Sequence, residues 1–189
     1  MDETDDDFKL IRNYLSGDNG SFDIIYNRYK LPLYRYLNDV FNDQNNVTDD
    51  IFQQTWLNAI RHMDRYENRE KFYAWLVRIA HNLVIDYFRS QQRRGEEELG
   101  SDQEDSLMGS DSADPFEQME TKEQENILRR AVAELSPELR EVFLLRQENL
   151  TFREIAEIQQ CSLNTCLARM QYALKNLKKL LKYSIRGNE

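Results

Sequence analysis

The sequence predicts an all-α protein of two small helical domains joined by an acidic, flexible linker. Three observations carry that expectation. Six glycines, three prolines and few alternating Val/Ile/Thr runs in 189 residues leave little room for sheet. Apolar residues recur at three- and four-residue spacing in both halves of the chain. Charge, finally, is distributed in blocks. Residues 1–60 hold 5 basic and 11 acidic side chains, residues 61–94 hold 8 and 4, residues 95–125 hold 1 and 12, and residues 126–186 hold 11 and 6. The overall −9 therefore conceals two basic blocks, suited to phosphate, on either side of a strongly acidic one.

In chain order, Phe8, Ile11 and Leu15 space a short first helix that Gly17 can end. Ser21 is an N-cap for the next, whose apolar positions run Phe22, Ile25, Tyr26, Tyr29, then Leu33, Tyr36, Leu37, Val40 and Phe41. Pro32 is expected to kink or split it. Residues 42–47 read as a polar loop. A third helix is expected from Thr48 or Asp49, with Ile51, Phe52, Thr55, Trp56, Ala59 and Ile60 inside and Asp50, Gln53, Gln54 and Asn58 outside. After a charged loop over 62–69, a fourth helix over about 70–94 buries Phe72, Leu76, Ile79, Ala80, Leu83, Val84 and Tyr87 and ends on a basic segment, as a helix C-terminus favours.

Residues 95–121 are acidic and bury too little apolar surface to order themselves, so the chain divides into a first domain over 1–94 and a second over 122–189. In the second, Ile127, Leu128, Ala131, Val132 and Leu135 mark one helix. Ser136-Pro137 opens another with an N-cap and N1 signature, and Leu139, Val142, Phe143 and Leu145 form its inner side. Thr151 and Glu154 have capping-box spacing before a short helix. Ser162 can cap a long amphipathic run. A short capped helix, a tight turn and a longer capped helix predict a helix-turn-helix, whose second helix enters the major groove of DNA. Its first turns offer Ser162, Asn164, Thr165 and Arg169. An ordinary helical hairpin would show the same pattern.

Several classes of chemistry find no support. Cys161 and Cys166 have no His near them in sequence, and both sit where a helix-turn-helix takes small apolar residues. No Gly-rich phosphate loop, paired carboxylates or nucleophile–base pair appears, so neither catalytic residues nor metal or cofactor are expected. Residues 2–7 are acidic rather than basic-then-apolar, and no apolar run approaches the length of a membrane span, which suits a reducing cytoplasm.

Three segments resemble a known family. T-D-D-I-F-Q-Q-T-W-L-N-A-I at Thr48–Ile60 is similar to A-E-D-L-V-Q-E-T-F-L-x-A-W. F-Y-A-W-L-V-R-I-A-H-N-L-V-I-D-Y-F-R at Phe72–Arg89 is similar to F-x-x-W-L-x-x-I-A-x-N-x-x-x-D-x-x-R, and L-S-P-E-L-R-E-V-F-L-L at Leu135–Leu145 to L-P-x-x-x-R-x-V-F-x-L. These are motifs of the extracytoplasmic-function (ECF) group of bacterial sigma-70 factors, and the resemblance spans Asp7 to about Leu181 apart from the linker. It implies a region 2 domain that holds the clamp of core RNA polymerase and opens the −10 element. It also implies a region 4 domain that reads the −35 element and docks on the flap. An anti-sigma factor is a further implied partner, and insertion into a membrane is not expected.

Carried onto this chain, the resemblance implies polymerase contacts at Asp49, Asp50, Gln53, Gln54 and Leu57. It implies −10 contacts at Arg65, Tyr66, Asn68, Arg69, Trp75, Arg78, Asn82 and Arg89, and −35 contacts at Arg153, Ser162, Asn164, Thr165, Leu167, Ala168 and Arg169. The residue chemistry agrees. The first set is an acidic and amide face suited to a basic helix, although a solvated face looks the same. In the loop over 64–69, an aromatic ring, an amide and cations can hold one extruded base. Trp75 fits the core as well as it fits DNA. His81 has no paired carboxylate nearby in sequence and reads as a surface histidine. Two departures stand out. The family usually has Gly in the helix-turn-helix turn, where this chain has Gln160. A lysine and a serine of the recognition helix are replaced by Leu167 and Ala168, and Leu167 also shares a stripe with Leu163, Leu174 and Leu181 that could be core. A stand-alone helix-turn-helix regulator, dimerising along that stripe, and a degenerate factor that only sequesters polymerase are the rival readings.

Overall fold

The computed structural model describes residues 3–42, 44–67, 71–97 and 118–186. Among the described residues there are eight α-helices, one 3-10 turn and no strand. The first unit holds α1 (Glu3–Leu15), α2 (Asn19–Val40), α3 (Asn45–His62), the 3-10 turn (Met63–Arg65) and α4 (Phe72–Glu97). The second holds α5 (Gln118–Ala133), α6 (Pro137–Gln147), α7 (Phe152–Ile158) and α8 (Leu163–Arg186).

In the first unit α1 packs on α2, α2 on α3 and α3 on α4. Ile25, Leu33, Leu37, Ala59, Met63, Phe72, Leu76, Val77 and Ala80 are wholly buried between them. Each large aliphatic side chain among them contributes about 1.5–3 kcal/mol by leaving water. Trp56 is boxed by Tyr26, Phe22 and Phe52, with ring centroids 5.0, 6.0 and 6.5 Å away. A partly buried polar clamp ties α1 to α2: Arg28 donates through Nη1 to Asp7 (2.5 Å) and through Nη2 to Asp6 (2.8 Å), and Tyr29 Oη donates to Asp7 Oδ2. Burial raises the Asp7 carboxyl above its usual value, against the lowering effect of Tyr29 and Arg28.

Several helix ends differ from expectation. Asp18, not Ser21, caps α2. Its carboxylate accepts from the Gly20 amide (3.0 Å) and from the Ser21 hydroxyl (2.6 Å), which leaves Ser21 buried. α2 runs through Pro32 as one helix. α3 begins at Asn45 rather than Thr48, because Thr48 is fully buried and its hydroxyl faces the packed interior instead of capping amides. Leu15 and Ile60 are exposed, one at the end of α1 and the other on the outer side of α3. The residues expected to form a linker over 95–121 include the end of α4 and the start of α5; the remainder lies outside the described residues.

The second unit follows its local signals closely. Pro137 opens α6 after Ser136. Thr151 and Glu154 form the reciprocal capping box, with Glu154 N to Thr151 Oγ1 at 3.3 Å and Thr151 N to Glu154 Oε2 at 2.6 Å. Ser162 Oγ accepts from the Thr165 amide at 3.1 Å at the start of α8. The turn between α7 and α8 places Gln160 at φ +50°, the left-handed conformation for which glycine is better suited. Cys166, Ala173 and Leu177 form the inner stripe of α8, whereas Leu163, Leu167 and Leu174 are exposed. The first three leucines of that stripe are therefore not core, and the stripe through Cys166 takes the inward side, while Leu181 farther along is half-buried against the core.

The two units lie against each other through α2 with α5 and α6 and through α4 with α7. At the centre is Glu141 of α6, 9 % exposed. Its Oε1 accepts from Tyr36 Oη of α2 at 2.7 Å and lies 2.6 Å from His81 Nδ1 of α4, and its Oε2 accepts from Gln159 Nε2 at 2.9 Å. With Glu141 ionised, the bond to His81 requires the proton on Nδ1. His81 is thus a buried, carboxylate-paired residue rather than a surface one. The carboxylate lies 60 positions away in sequence, out of reach of any local reading. Arg140 fastens the rim, donating to Val40 O (3.2 Å) and Asn42 Oδ1 (3.4 Å) of the first unit and to Ala133 O of its own.

Two outcomes are expected. Gln160→Gly relieves the left-handed backbone and should stabilise the chain by about 0.5–1 kcal/mol in denaturant unfolding; destabilisation would show that the Gln160 side chain contributes more than its backbone costs. Burial pushes the Glu141 carboxyl up, but hydrogen bonding and charge from His81, with Tyr36 and Gln159, outweigh it and leave the pKa below the usual 4.5. A lowered carboxyl stabilises the fold above its unfolded-state value and loses that contribution as pH falls through the folded-state value. Glu141→Gln should cost about 2 kcal/mol near neutrality, and the difference from the parent chain should shrink in acid. Paired unfolding curves at neutral and acid pH test this, and a pH-independent difference would contradict it.

Candidate nucleic-acid interface

The sites expected from sequence fall on three surfaces. On the second unit, the first turns of α8 expose Ser162, Leu163, Asn164, Thr165 and Leu167, and Arg153 of α7 is exposed nearby. The Ser162 cap, reinforced by a 2.8 Å contact between its hydroxyl and that of Thr165, fixes the start of this helix. Ala168 is half-buried. Leu167, 37 % exposed, offers the groove a branched apolar group where a thymine methyl could be met, but no hydrogen bond. Arg169 is turned away from this side: its Nη1 donates to Gln159 Oε1 at 3.0 Å, beside the seam between the units. Lys175, Lys178 and Lys179 are exposed farther along, suited to phosphate.

The second surface lies on the first unit. Arg65 at the end of the 3-10 turn is exposed, and Asn68 and Arg69 lie outside the described residues. Tyr66 differs from expectation. It is 5 % exposed, and its ring sits 5.5 Å from those of both Phe72 and Trp75 and 6.4 Å from Phe8. The ring that could have stacked on a base closes the base of α4 instead, because three aromatic neighbours converge on it. Trp75 is half-buried in the same cluster. Beyond it, Arg78, Asn82 and Arg89 lie along one side of α4. Asn82 and Arg89 are exposed, Arg89 reaching Asp86 at 3.4 Å, and Arg78 lies 3.6 Å from Glu157 of α7. Part of this side of α4 therefore faces the helix-turn-helix, where Gln160 lines one open cleft together with His81, Asn82, Ile85, Asp86 and Arg89.

The third surface is the outer side of α3. Asp49, Asp50, Gln53, Gln54 and Leu57 are all exposed. Tyr34 Oη donates to Asp49 at 2.9 Å, and Leu57, 49 % exposed, puts an apolar centre among the acids and amides. An acidic rim around one apolar anchor is the composition of a protein-docking patch.

Among the described residues no group of His, Cys, Asp or Glu has the arrangement of a metal site, and no helix is long and apolar enough to cross a membrane. Local reading missed the polar seam around Glu141: Gln159 reaches it from within the second unit, whereas Tyr36 and His81 are brought to it only by the packing of one unit on the other.

Residues 25–94 match the family described as sigma-70 region 2, and residues 125–177 match sigma-70, region 4. The ECF RNA polymerase sigma-E factor of Haemophilus influenzae is 29 % identical over 170 residues, covering 87 % of this chain and 89 % of its own. The RNA polymerase sigma-H factor of Pseudomonas aeruginosa is 24 % identical over 186 residues, covering 95 % and 96 %. Among solved structures, the sigma factor RpoE in complex with the anti-sigma factor NepR from Bartonella quintana has a similar fold, with a TM-score of 0.70 at 20 % identity over 85 % of this chain and 96 % of that one. CnrH in complex with the cytosolic domain of CnrY does too, with a TM-score of 0.67 at 21 % identity over 94 % and 98 %. With both regions present in order, each on its own helical unit, the chain belongs to the sigma-70 family, in its extracytoplasmic-function group.

Proposed function

We infer that this chain is a promoter-specificity subunit: it binds core RNA polymerase, directs it to particular promoters and assists opening of the duplex. The observation that carries the reading is the presence of both sigma-70 regions in order, the second bearing a helix-turn-helix whose recognition helix exposes its first turns. Residues 1–94 take the region 2 role, residues 122–189 the region 4 role, and residues 95–121 join them. The chain contributes no catalytic group of its own; polymerase supplies the chemistry. It acts in the cytoplasm, without inserting into the membrane, and an anti-sigma factor is a natural partner, since two proteins of similar fold are named in complex with one or with a cytosolic domain.

The residues divide the work as follows. Asp49, Asp50, Gln53 and Gln54 meet a basic surface of the polymerase clamp around Leu57. Asn164, Thr165 and Leu167 read base edges at −35, with Arg169 joining them once its bond to Gln159 is given up, and with Ser162, Arg153 and Ala168 at the rim. Arg78, Asn82 and Arg89 hold the backbone of the −10 strand leading to the loop over 64–69. Extruding a base costs a few kcal/mol, and a protein that hydrolyses no nucleotide meets that cost by binding the single strand.

Run-off transcription with core polymerase and a library of promoter templates tests the reading; a chain that binds core yet supports no promoter-dependent transcript would instead be a sequestering factor. Arg169→Ala should relax −35 specificity and cost about 1–3 kcal/mol if the guanidinium is bidentate to a base, whereas an equal loss on every −35 sequence would place it on phosphate. In the loop, Asn68→Ala should reduce permanganate-reactive thymines more than it reduces closed-complex binding. Tyr66→Ala should cost about 3 kcal/mol of stability as a core truncation. Tyr66→Phe should leave opening unchanged, and a selective opening defect in that variant would restore a direct role for the hydroxyl.

A further inference from the structure

Four elements meet around a small cavity that none of the three surfaces includes. α1 gives it Asp7, α2 gives Arg28 and Tyr29, the entry to α4 gives Lys71 and Tyr73, and the turn after α6 gives Glu148. Its volume is about 180 Å³, below the roughly 300–1,000 Å³ of pockets for drug-sized molecules, so it suits an occupant of few non-hydrogen atoms. Tyr73 is 7 % exposed, and its hydroxyl has no hydrogen-bond partner among the described residues. A buried polar group left unpaired is costly, so an orphan hydroxyl in the lining of a cavity points to something that fills the cavity. The Tyr73 ring stacks on that of Tyr29, with centroids 5.7 Å apart and planes at 15°, but the Tyr29 hydroxyl is already given to Asp7. Burial, and then the charge of Glu148, raises the Tyr73 pKa, so its hydroxyl stays neutral and can both donate and accept.

The charges around the cavity are of both signs. Arg28 and Asp7 are already paired with one another, and Arg28 also holds Asp6. Glu148 is less well served. It has a long contact of 3.7 Å to the exposed Arg35, and burial pushes its carboxyl above the ordinary value against the pull of that arginine. Glu148 directly follows the last residue of α6, where the helix dipole adds negative potential. Lys71 has the opposite setting. It directly precedes the first residue of α4, where unpaired amides and the dipole add positive potential. A lone anion in the cavity would meet Glu148 and Asp7, and a lone cation would meet Lys71 and Arg28. A molecule that carries both charges satisfies both ends. We propose that this cavity binds a small zwitterion of the amino-acid class, its ammonium toward Glu148 and its carboxylate toward Lys71, with Tyr73 completing the hydrogen bonds. Such a site is independent of the promoter-specificity role. Because its lining is assembled only in the folded chain, the occupant stabilises the fold by mass action.

The test uses the full chain and the free α-amino acids, added one at a time at millimolar concentration near neutral pH. Thermal unfolding followed by circular dichroism reads stabilisation, and isothermal titration calorimetry reads affinity. At least one of the smaller amino acids should raise the unfolding midpoint and titrate to one site. The α-hydroxy acid and the amine of the same skeleton each lack one charge and should bind at least about tenfold more weakly. Tyr73→Phe should raise the midpoint of the empty chain, since an unpaired buried hydroxyl is removed, yet weaken the amino acid by about tenfold. Glu148→Gln keeps the shape and should weaken it similarly; should that variant fail to fold, Tyr73→Phe carries the comparison. If no amino acid raises the midpoint or titrates, the site is overturned. A lower midpoint of empty Tyr73→Phe, alongside that silence, would mean that water alone fills the cavity. Equal binding by the parent chain and both folded variants would place the amino acid elsewhere and equally overturn the assignment.

Discussion

A single buried carboxylate, that of Glu141, has to be satisfied from both halves of the molecule, and the arrangement of the two units follows from that requirement. A carboxylate removed from water is tolerated only when its lone pairs are filled. The α6 helix cannot fill them alone, because its own amides are occupied within the helix. Tyr36 and His81 from the first unit and Gln159 from the second do so together. Their positions fix which side of α2 meets α6 and which side of α4 meets α7. Arg140, the immediate neighbour of Glu141, faces the rim of the same seam and collects carbonyl oxygens from both units. Apolar packing builds each unit; this polar set orients one against the other.

The local signals of the chain were legible because they act over a few residues. The capping box at Thr151 and Glu154, the Pro137 start of α6 and the end of α1 before Gly17 each depend on neighbours within one turn. The sigma-type helical domains were likewise legible, since their motifs are contiguous. Signals that depend on distant partners were not. Tyr66 carries the chemistry of a stacking residue, and only the convergence of Phe8, Phe72 and Trp75 makes it core. His81 carries the chemistry of a surface residue until Glu141 is brought to it. The α8 stripe was ambiguous for another reason: two apolar series interleave along one helix, and which is inner depends on how α6 and α7 approach it. Thr48 shows the same limit at a helix start, where a good capping residue is drawn instead into the interior.

On the proposed function, the side of α4 carrying Arg78, Asn82 and Arg89 answers to two partners of different chemistry. In the free chain it lies near α7, with Arg78 beside Glu157; in the proposed transcription complex it lies along a nucleic-acid strand. A cation serves both, since Glu157 and a phosphate oxygen present similar acceptors. Evolution on this surface is therefore constrained twice over. A replacement favoured because it suits a new promoter must also leave a workable neighbour for the second unit, or be accompanied by change at position 157 or 160. On that reading, promoter preference in such a chain cannot drift one domain at a time, and an alignment of its near relatives should carry that history as covariation between α4 and the turn of the helix-turn-helix.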